Sequence, residues 1–433
     1  MPRESAISRQ LGRALSRVGA RCRQVNFGRS LTIAGAPGAL ARWGGSGRAS
    51  REVRPRRIPE LDGLRALAVL AVISFHYSVA TVLANPATGM GWAGVDLFFV
   101  LSGYLITTIL LNSRGRPRYF STFYARRTLR IFPVYFLLLA IYIAAARLAG
   151  GPQPWSYWLM HGLYLSSIAE HFHYWAFAAP AFVYAGVAVL WSLSIEELFY
   201  LGWAPIVRWL RPARLPLALA AAIVGAPLLR WWVHTAGFTE YRFLPARCDS
   251  LAWGALLAWM LHRHGAAIAA RWLKPLGWSA AAGLVALIAS TGGSRSSPVF
   301  AVFGYTALAA LFCAVVGWLV LTSGSAALPA RLLRLPPARY LGQISYMLYL
   351  VHYPVLTAVA GWTSLNWGAG GFAVVLRDAI AMIAALGIAA VSWHWLEAPI
   401  LHFKDRRLPS PAVAEPAVAR MRTETVAAIR ESL

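Results

Sequence analysis

The chain has 433 residues, of which 58% are hydrophobic and only 13% charged, and its mean hydropathy is +0.54. A soluble domain carries roughly 25% charged residues, so this composition excludes a soluble enzyme, and three scattered cysteines (Cys22, Cys248, Cys313) without a CxxC pair exclude a zinc ribbon or a disulfide scaffold. The net charge of +25 resembles a nucleic-acid signal, but the basic residues crowd into an N-terminal tail and short gaps between apolar runs, which is a pattern of membrane topology.

Residues 1–57 hold 13 arginines and only Glu4 and Glu52 as acids. No apolar stretch of signal-peptide length occurs there. The tail reads as a disordered cytoplasmic extension, with a polybasic arm against anionic lipid as the sharper alternative. Beyond it, a helix needs about 20 apolar residues to cross the hydrocarbon core. Such runs fall near 61–84, 92–112, 131–149, 187–207, 214–234, 243–261, 275–291, 299–322, 340–361 and 373–396. The segment 155–169 is short for a crossing and carries His161. Ten crossings with both termini cytoplasmic leave about two basic residues outside, Arg242 and Arg295, whereas an eleventh at 155–169 would turn every later basic loop outward. The expected fold is an all-α polytopic membrane protein of about ten transmembrane helices, with 58–405 as the membrane domain and 406–433 as a cytoplasmic tail. Residues 150–186 then form an outer segment with a re-entrant or surface-lying half-helix.

Ionisable residues within spans are costly and usually functional. In the first span Arg65 and His76 are separated by roughly 16 Å along a helix, which places Arg65 near the inner headgroups and His76 near mid-membrane. Arg65 can be a snorkelling anchor and His76 a helix–helix hydrogen-bond donor. Imidazole is also the side chain best matched to proton transfer near neutral pH. The second span carries Asp96 near its outer end, with Ser102 and Gly103 deeper, where small residues permit close helix approach. In the loop that follows, Arg127 and Arg130 are i, i+3 neighbours on one helical face. Such a pair can grip phosphates from the cytoplasmic side, or serve topology alone.

The fourth span places Glu196 and Glu197 about 100° apart on a helix, so they are not a shared-proton pair. At least one needs a cation or a proton. Arg247 with Asp249 and Arg377 with Asp378 lie in the outer halves of later spans, and His352 lies in the ninth. Salt-bridged helix contacts are one reading of these pairs; the other is a polar vestibule, which Arg230 would join. His262-Arg263-His264 lacks carboxylate or thiol companions at ligand spacing, so no metal is expected.

The ordered set of motifs resembles the acyltransferase-3 family of integral-membrane O-acyltransferases. The resemblance rests on Leu61-Asp62-Gly63-Leu64-Arg65-Ala66 with His76, Gly94-Val95-Asp96 through Ser102-Gly103-Tyr104, and Arg126-Arg127-Thr128-Leu129-Arg130-Ile131-Phe132-Pro133. It continues through Trp191-Ser192-Leu193-Ser194-Ile195-Glu196-Glu197, Arg247-Cys248-Asp249 and Ser345-Tyr346 to His352-Tyr353-Pro354 and Leu396-Glu397-Ala398-Pro399. Leu198 stands where the family usually has Gln. Some relatives carry a fused extracytoplasmic esterase-like domain, and none is expected here.

The resemblance implies transfer of an acyl group, most often acetyl, from cytoplasmic acyl-CoA to a hydroxyl of a carbohydrate or glycosylated acceptor, by a multi-pass protein of the inner (plasma) membrane. It makes His76 the expected base or acyl carrier, with Asp96 or Glu196 orienting it. Arg127 and Arg130, helped by Arg126 and Arg65, hold the CoA phosphates. Arg247, Asp249 and His352 are acceptor-side candidates. No metal and no nucleic-acid partner are expected. A proton-coupled transporter would use similar intramembrane charges, but no repeat relates residues 58–230 to 231–405; a polysaccharide-export partner is the remaining alternative.

Overall fold

The computed structural model describes residues 58–78, 89–150, 154–171, 180–238, 240–294, 297–366 and 371–408. The arginine-rich tail and most of the C-terminal segment 406–433 lie outside these residues. The described part is built of helices, and no strand occurs among the described residues. In chain order they are α1 (Pro59–Ser78), α2 (Gly94–Ser113), α3 (Tyr119–Leu148), α4 (Trp155–Gly162), α5 (Ser166–His171), α6 (Ala181–Ala188) and α7 (Trp191–Trp209). There follow α8 (Leu215–Thr235), α9 (Leu244–Thr291), α10 (Tyr305–Leu321), α11 (Leu328–Leu333), α12 (Pro336–Asn366), α13 (Gly371–Ser392) and α14 (Ala398–Arg407).

Eight described helical stretches are long and apolar enough to cross a membrane. The helix α1 is 20 residues long but carries Glu60, Asp62 and Arg65 in its first turns. The 48-residue α9 is interrupted at Gly265, whose φ of 77° and ψ of 177° break the helical path. A side chain would be strained there, so glycine makes the kink possible. The segment read as a half-helix is two short helices, α4 and α5, joined through Tyr164 at a φ of 58°.

The outward faces show what solvent the fold expects. On α13 the buried residues are Ala381, Ala385, Ala389 and Ser392, a narrow stripe of small side chains. Around it Ile383, Val391 and the neighbouring Trp395 are widely exposed. On α8, Leu217, Val224, Leu228, Trp231 and Trp232 point outward. A water-facing helix would reverse this pattern; apolar side chains outside and small ones at the contacts suit lipid. The interior seams are close. A Cβ on Gly103 would overlap the Leu251 carbonyl oxygen, and one on Gly254 would overlap that of Val100, so α2 and α9 meet backbone to backbone.

Four contacts gather the basic loops at one end of the bundle. Arg114 Nη2 donates to the Leu210 carbonyl at 2.6 Å, and Trp259 Nε1 donates to that of Pro212 at 2.9 Å. Arg334 Nη1 meets Glu60 Oε1 at 2.8 Å, and Arg126 Nη2 meets Asp405 Oδ1 at 2.6 Å.

Candidate functional site

The site begins where α1 and α12 touch. Gly342 lets them approach: a Cβ there would overlap the Asp62 carbonyl oxygen. Further along the same seam His76 and His352 face each other, with His352 Nε2 3.2 Å from His76 Nδ1. His76 Nδ1 lies 2.9 Å from the Val72 carbonyl oxygen, and His352 Nδ1 lies 2.6 Å from that of Tyr349. A carbonyl oxygen only accepts, so each Nδ1 carries hydrogen when the rings are neutral. His352 Nε2 then bears a lone pair and accepts from His76 Nδ1–H, which it shares with Val72. By elimination the lone pair of His76 sits on Nε2. Two carbonyls and a second imidazole thus fix the tautomer a base needs. Tyr353 packs on the His76 ring at a centroid separation of 4.7 Å.

Two cavities lie toward the basic end, neither lined by a histidine. The outer one has a volume of about 740 Å³ and six cations in its walls, Arg116, Arg118, Arg126, Arg127, Arg130 and Lys404, with no acid among its lining residues. It opens at the start of α3, where helix N–H groups lack intrahelical acceptors. Arg118 there holds a left-handed φ of 58°. The inner one, about 90 Å³, shares Arg127 and Arg130 with the first and is also lined by Arg65, Glu196, Ser192 and Tyr349. Arg127 and Arg130 therefore stand at the neck between a wide chamber and a narrow one. The Arg127 guanidinium lies over the Tyr200 ring, its central carbon 4.7 Å from the ring centroid. Tyr200 donates to Glu196 Oε2 at 2.9 Å, and Ser102 donates to Glu196 Oε1 at 2.9 Å. At the far end Tyr349 and Ser192 share a hydrogen bond of 2.7 Å, and Tyr349 lies one helical turn before His352.

The two adjacent carboxyls have different surroundings in the structure. Glu196 faces the inner cavity, among Arg65, Arg127 and Arg130. Glu197 is not among the lining residues, and its Oε1 is buried without a hydrogen bond. Asp96 is engaged elsewhere: Arg247 Nη2 donates to its Oδ1 at 2.7 Å and Ser250 Oγ at 2.8 Å. The imidazole of His76 is met by that of His352. Arg126, expected to help hold phosphate, spends one nitrogen on Asp405 and another on the Leu408 carbonyl at 3.1 Å.

Arg247 and Asp249 sit in a buried ionic cluster, in which Arg247 Nε and Nη1 and Asp96 Oδ2 make no hydrogen bond. Arg230 bonds Asp249 at 3.0 and 3.1 Å, and Thr306 donates to the same carboxylate at 2.6 Å. Arg230, Arg247, Asp96 and Asp249 all have 0% exposure. The Arg247 guanidinium also lies over the Tyr305 ring at 4.0 Å. Arg377 pairs with Asp378 at 2.8 Å. Among the described residues no group of three or more His, Cys, Asp or Glu could hold a metal ion.

Sequence reasoning missed Arg116, Arg118, Lys404, Ser192 and Tyr349 as cavity residues. The first two lie in the basic loop already singled out, and their absence of nearby acids was the available signal. Lys404 had none, because it reads as one more charge just past the last apolar run, 373–396.

This arrangement belongs to a membrane-embedded transferase class, and the chain belongs to the acyltransferase-3 family: that family's acyltransferase domain matches residues 58–394. Peptidoglycan O-acetyltransferase OatA of Listeria monocytogenes is 27% identical over 366 residues, covering 79% of this chain and 56% of the relative. O-acetyltransferase OatA of Staphylococcus aureus (strain NCTC 8325) is 27% identical over 368 residues, covering 80% and 57%. The putative peptidoglycan O-acetyltransferase YrhL of Bacillus subtilis is 28% identical over 371 residues, covering 80% and 55%. The chain thus spans just over half the length of these curated relatives. No solved structure matches it.

Proposed function

We propose that the protein is an O-acyltransferase that moves an acyl group, acetyl in the first instance, from cytoplasmic acyl-CoA to a hydroxyl of a cell-envelope carbohydrate. The observation that carries this reading is the pair of cavities necked by Arg127 and Arg130. The wide chamber offers cations and no acid to a nucleotide and its phosphates. The narrow one suits an extended arm reaching toward Tyr349 and the histidine pair. His76 Nε2 takes the proton of the acceptor hydroxyl as its oxygen bonds the acyl carbon. The carbon–sulfur bond breaks, and the thiolate leaves with its electron pair and takes the proton back from the imidazolium. His352 acts on this step through His76, by holding its tautomer. Glu196 anchors Arg127 through Tyr200 and balances the charge at the neck. Family membership weighs against the transporter and export-partner readings.

We read the fold as ten crossings in an inner (plasma) membrane with both termini cytoplasmic. Together with α1, and with α9 divided at Gly265, the eight long apolar stretches give that number. The contacts joining the basic loops at one end of the bundle support a common cytoplasmic face. The relatives' names include peptidoglycan, which makes a peptidoglycan glycan the first acceptor to try. The Arg247–Asp96 and Arg230–Asp249 ion pairs support a structural role for those residues over an acceptor vestibule.

Sealed inverted vesicles test the reading. Labelled acetyl-CoA is added outside, with glycan acceptor trapped in the lumen. Label in the lumenal glycan is the expected result. Transfer only when both substrates share the cytoplasmic face would replace it with cytoplasmic O-acylation.

A further inference from the structure

The acyltransferase domain matches as far as residue 394, yet one wall of the wide cavity comes from beyond it. Past α13 the chain makes a π turn over Trp393–Glu397 and enters α14. A π turn is wider than an α turn and re-phases the helix that follows it. Lys404 on α14 then lines the same cavity as Arg116, Arg118, Arg126, Arg127 and Arg130. Two bonds fix the helix in place, from Arg126 Nη2 to Asp405 Oδ1 at 2.6 Å and from Arg126 Nη1 to the Leu408 carbonyl at 3.1 Å.

The environment of Lys404 is unusual for an ammonium group. It is only 9% exposed, and long charged side chains are rarely so buried unless paired. Asp405 Oδ1 is 3.8 Å from its Nζ, but that carboxylate already meets Arg126 at 2.6 Å and is 57% exposed. Six like charges converge there beside a single shared carboxylate, Asp405, and an anionic ligand would relieve their mutual repulsion. We propose that Lys404 is a ligand for the phosphate groups of the acyl donor, and that the Arg126–Asp405 pair positions it. The proposal rests on the acyl-CoA reading above. It assigns Arg126 a positioning role rather than direct contact with the donor.

The test compares two donors in nanodiscs of zwitterionic lipid. Acetyl-CoA carries phosphates; acetyl-pantetheine carries none. Lys404→Gln is expected to raise KM for acetyl-CoA about tenfold, the scale of one charge-assisted hydrogen bond. KM for acetyl-pantetheine and kcat should stay unchanged, and Lys404→Arg should restore most of the loss. A structural role would move both donors together and would overturn the proposal. An effect seen only after anionic lipid is added would also overturn it, naming a lipid headgroup as the ligand. Arg130→Gln separates the two levels of inference. If it raises KM for acetyl-CoA while Lys404→Gln matches wild type, the Lys404 proposal alone fails. If wild-type protein neither binds nor uses acetyl-CoA, the donor reading fails and takes this proposal with it.

Discussion

Two buried ionic regions of this molecule look alike in sequence and differ in their accounts of charge. Around Arg230, Arg247, Asp96 and Asp249 each carboxylate meets a guanidinium at 0% exposure, and Ser250 and Thr306 add donors. Around Arg65, Arg127 and Arg130 the cations face cavities, and Glu196 is the acid among the inner lining residues. The first region is balanced in charge, two carboxylates against two guanidiniums, although Asp96 Oδ2 and Arg247 Nε and Nη1 are buried without a hydrogen bond; the second has cations to spare. Buried charge is expensive in either place, so the surplus marks where a ligand's charge belongs. The two regions should therefore respond to mutation in opposite ways, one through stability and the other through catalysis.

The largest effect should come at the histidine pair. His76→Ala is expected to lower turnover by about 10² to 10⁴-fold, the span of general-base catalysis, with thermal unfolding in detergent unchanged. A variant retaining wild-type turnover would remove His76 from the mechanism. His352→Gln should do less. It keeps a polar group near His76 Nδ1 but loses the rigid ring, so turnover should fall about tenfold and the acid limb of the pH–rate profile, set by the base, should move. An unmoved profile would make His352 a packing residue.

The ionic cluster should show the reverse signature. Asp96→Ala strands Arg247 at 0% exposure, and an unpaired buried charge costs about 3–5 kcal/mol. Protein that does survive should keep the wild-type KM for acetyl-CoA. Removing both charges together, as Asp96→Leu with Arg247→Met, should recover much of the stability, since replacing a buried pair by apolar residues is often near neutral. A stable single variant with selectively impaired acceptor use would instead revive the vestibule.

The neck should respond moderately. Arg127→Lys and Arg130→Lys keep the charge but lose the planar fork, so KM for acetyl-CoA should rise about tenfold in each at near-normal stability. Arg127→Lys should be the worse of the two, because guanidinium stacking on Tyr200 at 4.7 Å is lost as well. Equal, unaltered affinity in both would reduce these arginines to topology.

The contrast between the regions also shows what a single sequence can convey. Helix type and approximate extent were legible because runs such as 299–322 carry no charged residue over the length of a crossing. The Arg127/Arg130 neck was legible because i, i+3 spacing fixes a shared face. The partner of His76 was not: His352 lies 276 positions away, and no local pattern states which imidazole meets which. Asp96 illustrates the same limit, since an aspartate in a span reads identically whether it serves a histidine or an arginine. Lys404 was hidden for another reason. Its burial depends on a π turn at Trp393–Glu397 and on a bond from Arg126 to Asp405, 279 positions away.

The smallest effect should come from a third ionic contact, which grades the comparison. Glu60 precedes the apolar run beginning at Leu61 and has 0% exposure. It accepts from the Gly324 N–H at 2.8 Å, from Arg334 Nη1 at 2.8 Å and from Ser323 Oγ at 3.3 Å. Burial pushes its pKa up, but the Gly324 N–H and the Arg334 guanidinium outweigh that and hold it below the ordinary carboxylate range. The unfolded chain then binds the proton more readily than the folded one. Stabilisation from this group is present above the unfolded value, about 4.3, and is lost as pH falls from there through the folded value. Arg334 is 25% exposed, unlike Arg247 at 0%, so water can reclaim part of its charge. Glu60→Gln should accordingly cost about 1–2 kcal/mol, well short of the cost of Asp96→Ala. Thermal unfolding followed from pH 7 to about pH 2 should show the wild type losing its advantage over Glu60→Gln only below about pH 4.3. A constant gap between the two at every pH would mean that the carboxylate's shape, and not its charge, holds α1 to the loop before α12.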